Sequence, residues 1–516
     1  MLVLSMMLAL CACGSPESNF KKAEEKTLEN ALDGFFEYYD QIKENADASQ
    51  SLSTKNKVKV RLGKSTAESL TQMLGMDIAW VNDLQIDLST VANEKQTAFN
   101  AKLSYMSNPL VSMAYILDMA NEKMYLGIPE FFSKYLELPL EGADAGFSID
   151  TASIIEKLPD AKTLRGLIEK YVGMILDAIP EVKEEKGTLT IDDVSENCTV
   201  YTVELTQKDV ITIARDVMKA ATEDPALETI IRDFVQLYND MIPADYIGEK
   251  ENADEIVANI KEGMTEMIED ANEMLASEDE EDIEELAQIA FKMTTYANKK
   301  SEILAQDIQL ITDGEIDMEF FGGTATNGDR IASQIYVSEF GYKLAEIQTD
   351  MTAKSGILAG TVEILLDDTT FCYIEVEDLN TKLDKNSFNG TFTVKPAEGM
   401  VDMMSTLFES FDIPASMAYG FSVKLGAESN AKNASIDLCL MNGTEEIFGV
   451  NISSENTNET EITIPAASET VSVDRLLNTF DHHQLIDNIQ ASGLPEDVVS
   501  ALIMLVNSIV TTIFYG

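Results

Sequence analysis

The chain is short of cations, histidine and tryptophan. Against 90 Asp and Glu there are 37 Lys and Arg in 516 residues, a formal net charge of −53. Binding nucleic acid requires clustered Lys and Arg to neutralise phosphates. Docking on anionic lipid through the protein's own surface requires a basic patch. The composition argues against both, and describes an acidic, soluble surface without pointing to a chemistry. His482 and His483 are the only histidines, so a Ser-His-Asp or Cys-His relay would have to use one of them. As neighbours on a helix they point apart and are poorly placed to share a metal; beside Asp481 they read as surface residues. Trp80 is the single tryptophan, which weighs against a carbohydrate receptor, although Tyr and Phe are available for stacking. No Cys-x-x-Cys, P-loop, Gly-x-Gly-x-x-Gly after a strand, Gly-x-Ser-x-Gly, His-Glu-x-x-His or Asp-x-Asp-x-Asp-Gly loop occurs. No catalytic residue, cofactor or metal site is therefore expected, and the chain reads as non-enzymatic. Residues 498–514 are mostly apolar but are broken by Ser500, Asn507, Ser508, Thr511 and Thr512. They are slightly short of the ~20 residues a span takes and lack a basic flank, so they read as a helix buried on a sheet.

What is present begins with a leader. Residues 1–12, MLVLSMMLALCA, form an uncharged apolar run too short to span a bilayer and suited to the h-region of a secretory signal. Leu10-Cys11-Ala12-Cys13 resembles a bacterial lipobox, although the usual basic n-region is missing. The resemblance implies cleavage after Ala12 and acyl chains on Cys13, whose thiol accepts the diacylglycerol. The other reading is a plain secretory signal. The polar stretch from Ser15 to Lys26 is expected to act as a tether. Cys198, Cys372 and Cys439 remain, each in a strand pattern, and read as buried small hydrophobes; a single disulfide among them stays open.

The body alternates long helices with runs of short strands, at 45% apolar residues. Residues 18–46 carry Leu28, Leu32, Phe35 or Phe36, Tyr39 and Ile42 at helical spacing. Period-two alternation at Val58, Val60 and Leu62, at Leu84, Ile86 and Leu88, and at Phe99, Ala101, Leu103 and Tyr105 marks antiparallel strands with one buried face. A strand at 124–128 stops at Pro129, and Phe131, Phe132 and Tyr135 suit a short helix or turn. A helix over 160–180, a hairpin of 186–191 with 199–205, a capping box at Thr206 to Asp209 and an Asp224-Pro225 helix start follow. Residues 249–276 show a stripe of Ile256, Ile260, Met264, Met267, Ala271 and Leu275. Residues 249–285 hold sixteen acids and two lysines, a net of −14, read as a solvated face. Strands are predicted at 290–297, 303–311, 315–321, 333–340, 343–351, 357–366, 370–377, 388–395, 419–425, 435–441, 446–453 and 460–464. Asn327-Gly328, Asn389-Gly390 and Asn442-Gly443 mark hairpin turns. Helices are predicted over 398–410, 473–491 and 495–514. The 24 methionines, among them Met264, Met267, Met274, Met403 and Met404, suit adaptable apolar packing.

These features predict an α+β chain of large curved antiparallel sheets, half-barrel-like, covered by helices in two related halves. The segments are a signal peptide (1–12), a lipidated tether with an N-terminal helix (13–49), a first sheet-plus-helices half (50–245), an acidic helical connector (246–287) and a second half (288–516). The lipobox, the Tyr125–Glu130 segment followed by Lys134-Tyr135-Leu136, and the Tyr201-Thr-Val-Glu-Leu205 strand resemble a family of uncharacterised Gram-positive surface lipoproteins. That family brings no activity with it. More loosely, the architecture is similar to lipoprotein carriers of the LolA type, which shelter an acyl chain in a half-barrel. The resemblances imply a protein on the outer face of the cell membrane, held by acyl chains on Cys13. Its ligand would be a lipid or other amphipathic molecule, or a cell-envelope protein, with no nucleic-acid partner. A solute-binding receptor of a transporter is the alternative.

Overall fold

Proline at the first position opens the 33-residue helix α1 (Pro16–Ala48). The computed structural model describes residues 15–48, 51–93, 95–140, 158–241, 251–380, 388–404, 418–430, 432–476 and 479–515. Residues 1–12, expected to be a signal segment, Cys13, and residues 405–410 of the helix predicted over 398–410 lie outside these residues. After α1 come β1 (Ser51–Leu62), α2 (Lys64–Leu74), β2 (Leu84–Asn93), β3 (Gln96–Tyr105), β4 (Asn108–Asp118), β5 (Lys123–Gly127) and β6 (Tyr135–Pro139). Next are α3 (Ala161–Ala178), β7 (Lys183–Ile191), β8 (Val194–Thr206), α4 (Gln207–Thr222), α5 (Pro225–Met241), α6 (Ala253–Leu275) and α7 (Glu280–Leu286). Eight strands follow: β9 (Ile289–Ala297), β10 (Ile303–Thr312), β11 (Glu315–Asn327), β12 (Arg330–Glu339), β13 (Tyr342–Lys354), β14 (Ile357–Leu366), β15 (Thr369–Asn380) and β16 (Phe388–Pro396). The chain continues through α8 (Glu398–Met403), β17 (Phe421–Ser429), β18 (Asn433–Asn442), β19 (Glu445–Asn456), β20 (Thr470–Val471), α9 (His483–Ala491) and α10 (Glu496–Tyr515). The fold is α+β and mostly antiparallel; among the described pairings only β20 with β6 is parallel.

The chain forms two compact units that interleave in sequence: residues 1–47, 149–353 and 362–370 make one, and 48–148, 354–361 and 371–516 the other. They do not follow the contiguous halves 50–245 and 288–516. The antiparallel ladder of the second unit joins β1 to β19, a pairing between distant segments that local patterning does not encode. The acidic stretch 246–287 is not a connector either: α6 and α7 belong to the first unit, with Val257, Ala271 and Leu286 buried.

In the first unit, β7 to β13 run as an antiparallel meander. Thr206 and Asp209 close the predicted capping box, and Asp224 accepts the Ala226 N–H at the start of α5. Phe20 and Ala23 of α1 pack with Tyr201, Val203, Leu205 and Ala297, joined by Leu176 and Ile179 from the α3 segment and Ile213 of α4. Phe20 is 1% exposed. Ser15 to Lys26 is therefore no free tether: the helix starts at Pro16 and docks within two turns. On the opposite face the β7–β8 hairpin folds onto β10, β11 and β12, where Leu189, Ile191, Val194, Cys198 and Val200 meet Ala305, Ala325 and Ala332. The small residues let the hairpin approach; a Cβ on Gly323 would lie 2.6 Å from the Ala305 methyl.

In the second unit the ladder order is β15-β16-β17-β18-β19-β1-β2-β3-β4-β5-β6-β20. α9, α10 and the link between them pack Leu485, Ile489, Leu494 and Val498 on Tyr105 and Leu110. No helix among the described residues is long and apolar enough to cross a membrane. Several predicted elements differ. Residues 460–464 form no strand, although Ile462 and Ile464 pack beside Ala98, Ile116 and Tyr125. The helix predicted over 473–491 is a single turn, Val473–Leu476, and then α9. Tyr135 starts β6 rather than ending a turn. Asn389-Gly390 is not a turn: Gly390 pairs with Ala427 inside the ladder, and a Cβ there would meet the Leu379 side chain at 3.1 Å.

Candidate functional site

Residues directly opposite each other in an antiparallel ladder point to the same face. In the first unit this aligns Val203, Met293, Ile308, Phe320, Val337 and Ala345 in one row across β8 to β13. The next row on that face ends in Gly322, Ile335 and Ile347. The rows begin under helices: Val203 is fully buried beside Phe20. They end in the open, where Phe320 is 41% and Ile335 57% exposed. The cover stops at α1, whose Glu24 accepts hydrogen bonds from the Thr295 hydroxyl at 3.1 Å and the Gln306 amide at 3.0 Å. Burial pushes the Glu24 carboxyl above its usual range. Beyond it, Ile308, Phe320, Ile335, Val337 and Ile347 line a shallow depression of about 360 Å³.

The second unit repeats this arrangement at larger scale. Ala427, Ile436, Ile452, Val58, Ile86, Leu103 and Val111 form one row across seven strands. Ile374, Val394, Val423, Leu440, Phe448 and Leu62 form another. Leu103 and Val111 sit under α9 and α10 with Trp80. Ile436 and Leu438 are 45% and 44% exposed, and Val423, Leu440, Phe448, Ile452 and Ile86 are close to that. The alternation of Val58, Val60, Leu62, Ile436, Leu438 and Leu440 was readable. That their apolar face is only partly covered was not, because the covering helices come from elsewhere in the chain.

The reverse faces carry polar clusters, set beside the apolar β7–β8 core in the first unit. Arg61 donates to Asp437 at 2.6 Å and to Glu446 at 3.0 Å, and its other nitrogen approaches the Cys439 sulfur at 3.0 Å. Cys439 thus lies on the face opposite Leu438 and Leu440, and burial with the neighbouring Asp437 pushes its thiol up to about 11. Gly449 leaves room for the guanidinium, since a Cβ would stand 2.7 Å from Arg61 Nη2. In the first unit the reverse face gathers Asp307, Gln309, Glu319 and Ser338. Burial, then the charge of Glu319, pushes the Asp307 carboxyl up to about 6. Burial and the same carboxylates push the Tyr336 phenol up to about 12.

The residues singled out from sequence are scattered. Cys13 lies outside the described residues. Cys198, Cys372 and Cys439 are buried free thiols. His483 is exposed and bonds Asp481 at 2.6 Å, and His482 stacks on Phe480. No group of three His, Cys, Asp or Glu suited to a metal occurs among the described residues. The segment behind the lipoprotein resemblance serves packing: Tyr125 is core, and buried Glu130 accepts from the Ser112 N–H and hydroxyl. Comparison with models of known protein families and with curated proteins finds no match.

Proposed function

We propose that the protein is a lipid-anchored lipoprotein of the extracytoplasmic membrane face that binds an amphipathic ligand, foremost a cell-envelope partner, without catalysing a reaction. The observation that carries the binding is the pair of apolar sheet faces that run out from under their helices. A monomer's solvent-facing sheet is expected to alternate apolar-in and polar-out, and contiguous exposed apolar area beyond a few hundred Å² marks an interaction site. Each face is an open surface with a shallow depression at most, which fits an apolar partner surface or an acyl chain lying along the strands. We read each sheet as a half-barrel, a reading supported in the first unit by the hairpin folded onto β11 and β12. The anchor rests on Leu10-Cys11-Ala12-Cys13. The antiparallel ladders are unlike the parallel lobes that the solute-receptor alternative calls for.

The test uses the chain with Cys13→Ser and a fluorescent acyl probe, alongside crosslinking to envelope proteins in cells. Ile335→Lys and Leu438→Lys place a charge on each face at positions already half-exposed, so folding is retained. Saturable probe binding or specific crosslinks that either substitution abolishes support the reading. Neither signal in the parent chain, or signals indifferent to both substitutions, refutes it.

A further inference from the structure

A cavity of about 770 Å³ lies in the second unit around β5, β6 and β20. Its charged lining is Lys123, Lys134, Arg475, Glu122 and Glu137. At the chain's ratio of 90 acids to 37 bases, five charged side chains would include one or two cations; these include three. The acids do not cancel them. Glu137 is held by the Lys123 ammonium at 2.6 Å with the Thr470 hydroxyl beside it, which keeps its carboxyl below the usual range. Glu122 is exposed at a positive-φ turn position. Among the described residues, Lys134 and Arg475 carry no ion pair, and Lys134 is half-buried. In so acidic a chain a half-buried ammonium and an exposed guanidinium, neither in an ion pair and both lining one cavity, are an unused charge complement. Hydroxyls of Thr470, Ser472 and Thr479 share the lining.

We propose that this cavity binds a small polar molecule through an oxyanion group, with Lys134 and Arg475 as its counter-charges. Arg475 offers a planar donor fork and Lys134 a point charge, the pairing suited to a carboxylate or phosphate. The volume exceeds what one inorganic ion fills, so the group belongs to a larger polar body that the hydroxyls contact. The site is separate from the apolar faces and does not depend on the reading made of them.

The experiment is isothermal titration of the whole chain with inorganic phosphate in one arm and succinate in the other, at ~0.15 M salt, where exposed charges are screened over about 8 Å. Saturable binding of one probe is expected, and the arm that binds names the group. A charge-assisted hydrogen bond contributes enough that Lys134→Ala and Arg475→Ala should each weaken binding by about tenfold or more. Lys134→Arg should restore most of it, and circular dichroism confirms that each variant is folded. Absence of binding in both arms, or affinity unchanged in both alanine variants, overturns the proposal.

Discussion

Truncating Phe20 decides whether the first turns of α1 belong to the fold. Its ring is 1% exposed and meets the Tyr201 ring edge-on at 6.0 Å, with Ala23, Val203 and Leu205 in the same cluster. Phe20→Ala removes the ring from a site walled by strands β8 to β10 and two other helices, which have little freedom to collapse. Such a cavity costs about 3–5 kcal/mol, a fifth or more of a stability of roughly 5–15 kcal/mol. Phe35 on the same helix is 54% exposed, and its truncation should cost no more than about 1 kcal/mol, from lost ring contacts with Phe36 and Tyr39. Urea unfolding of both variants gives the comparison, and hydrogen exchange of the amides of residues 16–26 localises it. Docking predicts that Phe20→Ala lowers the midpoint strongly and deprotects residues 16–26 before the β8 core opens. Equal, small shifts in the two variants, with 16–26 exchanging freely in the parent chain, would show that the segment is a tether and the packing argument is wrong.

Asp307 gives a pH test. Its carboxyl, raised to about 6 in the fold, resists ionisation there more than in the unfolded chain. The fold therefore loses stability as pH rises through about 6, and Asp307→Asn should raise Tm at pH 8 and have little effect near pH 4. Asp224 has the opposite sign: the Lys170 ammonium at 2.5 Å, with Tyr171 and the Ala226 N–H, holds its carboxyl down at about 2. Its contribution is present above pH 4 and disappears as pH falls toward 2. Asp224→Ala should cost about 1–2 kcal/mol from the helix cap alone at pH 7, read by urea unfolding, with the difference shrinking in acid. On α6, Val257→Ala should destabilise by about 1–3 kcal/mol and Ile260→Ala by under about 0.5 kcal/mol, since Val257 is 4% and Ile260 39% exposed.

That last pair shows where sequence reading stops. The stripe of Ile256, Ile260, Met264, Met267, Ala271 and Leu275 is a helical pattern, and the helix is there. A helix that packs on two neighbours buries a face set by where they lie, so Val257 turns inward and Met267 outward. Signals confined to a few residues were legible: the Thr206–Asp209 box, the Asp224-Pro225 start, and the hairpin of β7 and β8. β4 was missed because its turn uses Met106 and Ser107, both at positive φ, where sequence rules look for Asn or Gly. Asn389-Gly390 misled for the converse reason, because a glycine can serve close approach within a ladder as well as a turn. The apolar rows were half legible. Alternation gives each strand's apolar face, but the row across strands exists only once β1 pairs with β19. The cavity with Lys134 and Arg475 left no signal at all, since its lining comes from segments more than 300 positions apart.

The docked helix sharpens what an anchor at Cys13 would mean. Only Gly14 and Ser15 stand between that cysteine and Pro16, where α1 begins. Three residue steps reach at most about 11 Å, close to the screening length of roughly 8–10 Å at physiological salt. A body of charge −53 would then sit within range of anionic headgroups, with Glu17 and Glu184 near the helix start. With such an anchor, long-range repulsion would turn the first unit outward while the short link kept it close, so its apolar face would meet neighbours in the membrane-proximal layer before anything farther out. A long flexible tether would let the acidity carry an anchored protein away from the bilayer; a helix locked by Phe20 would not.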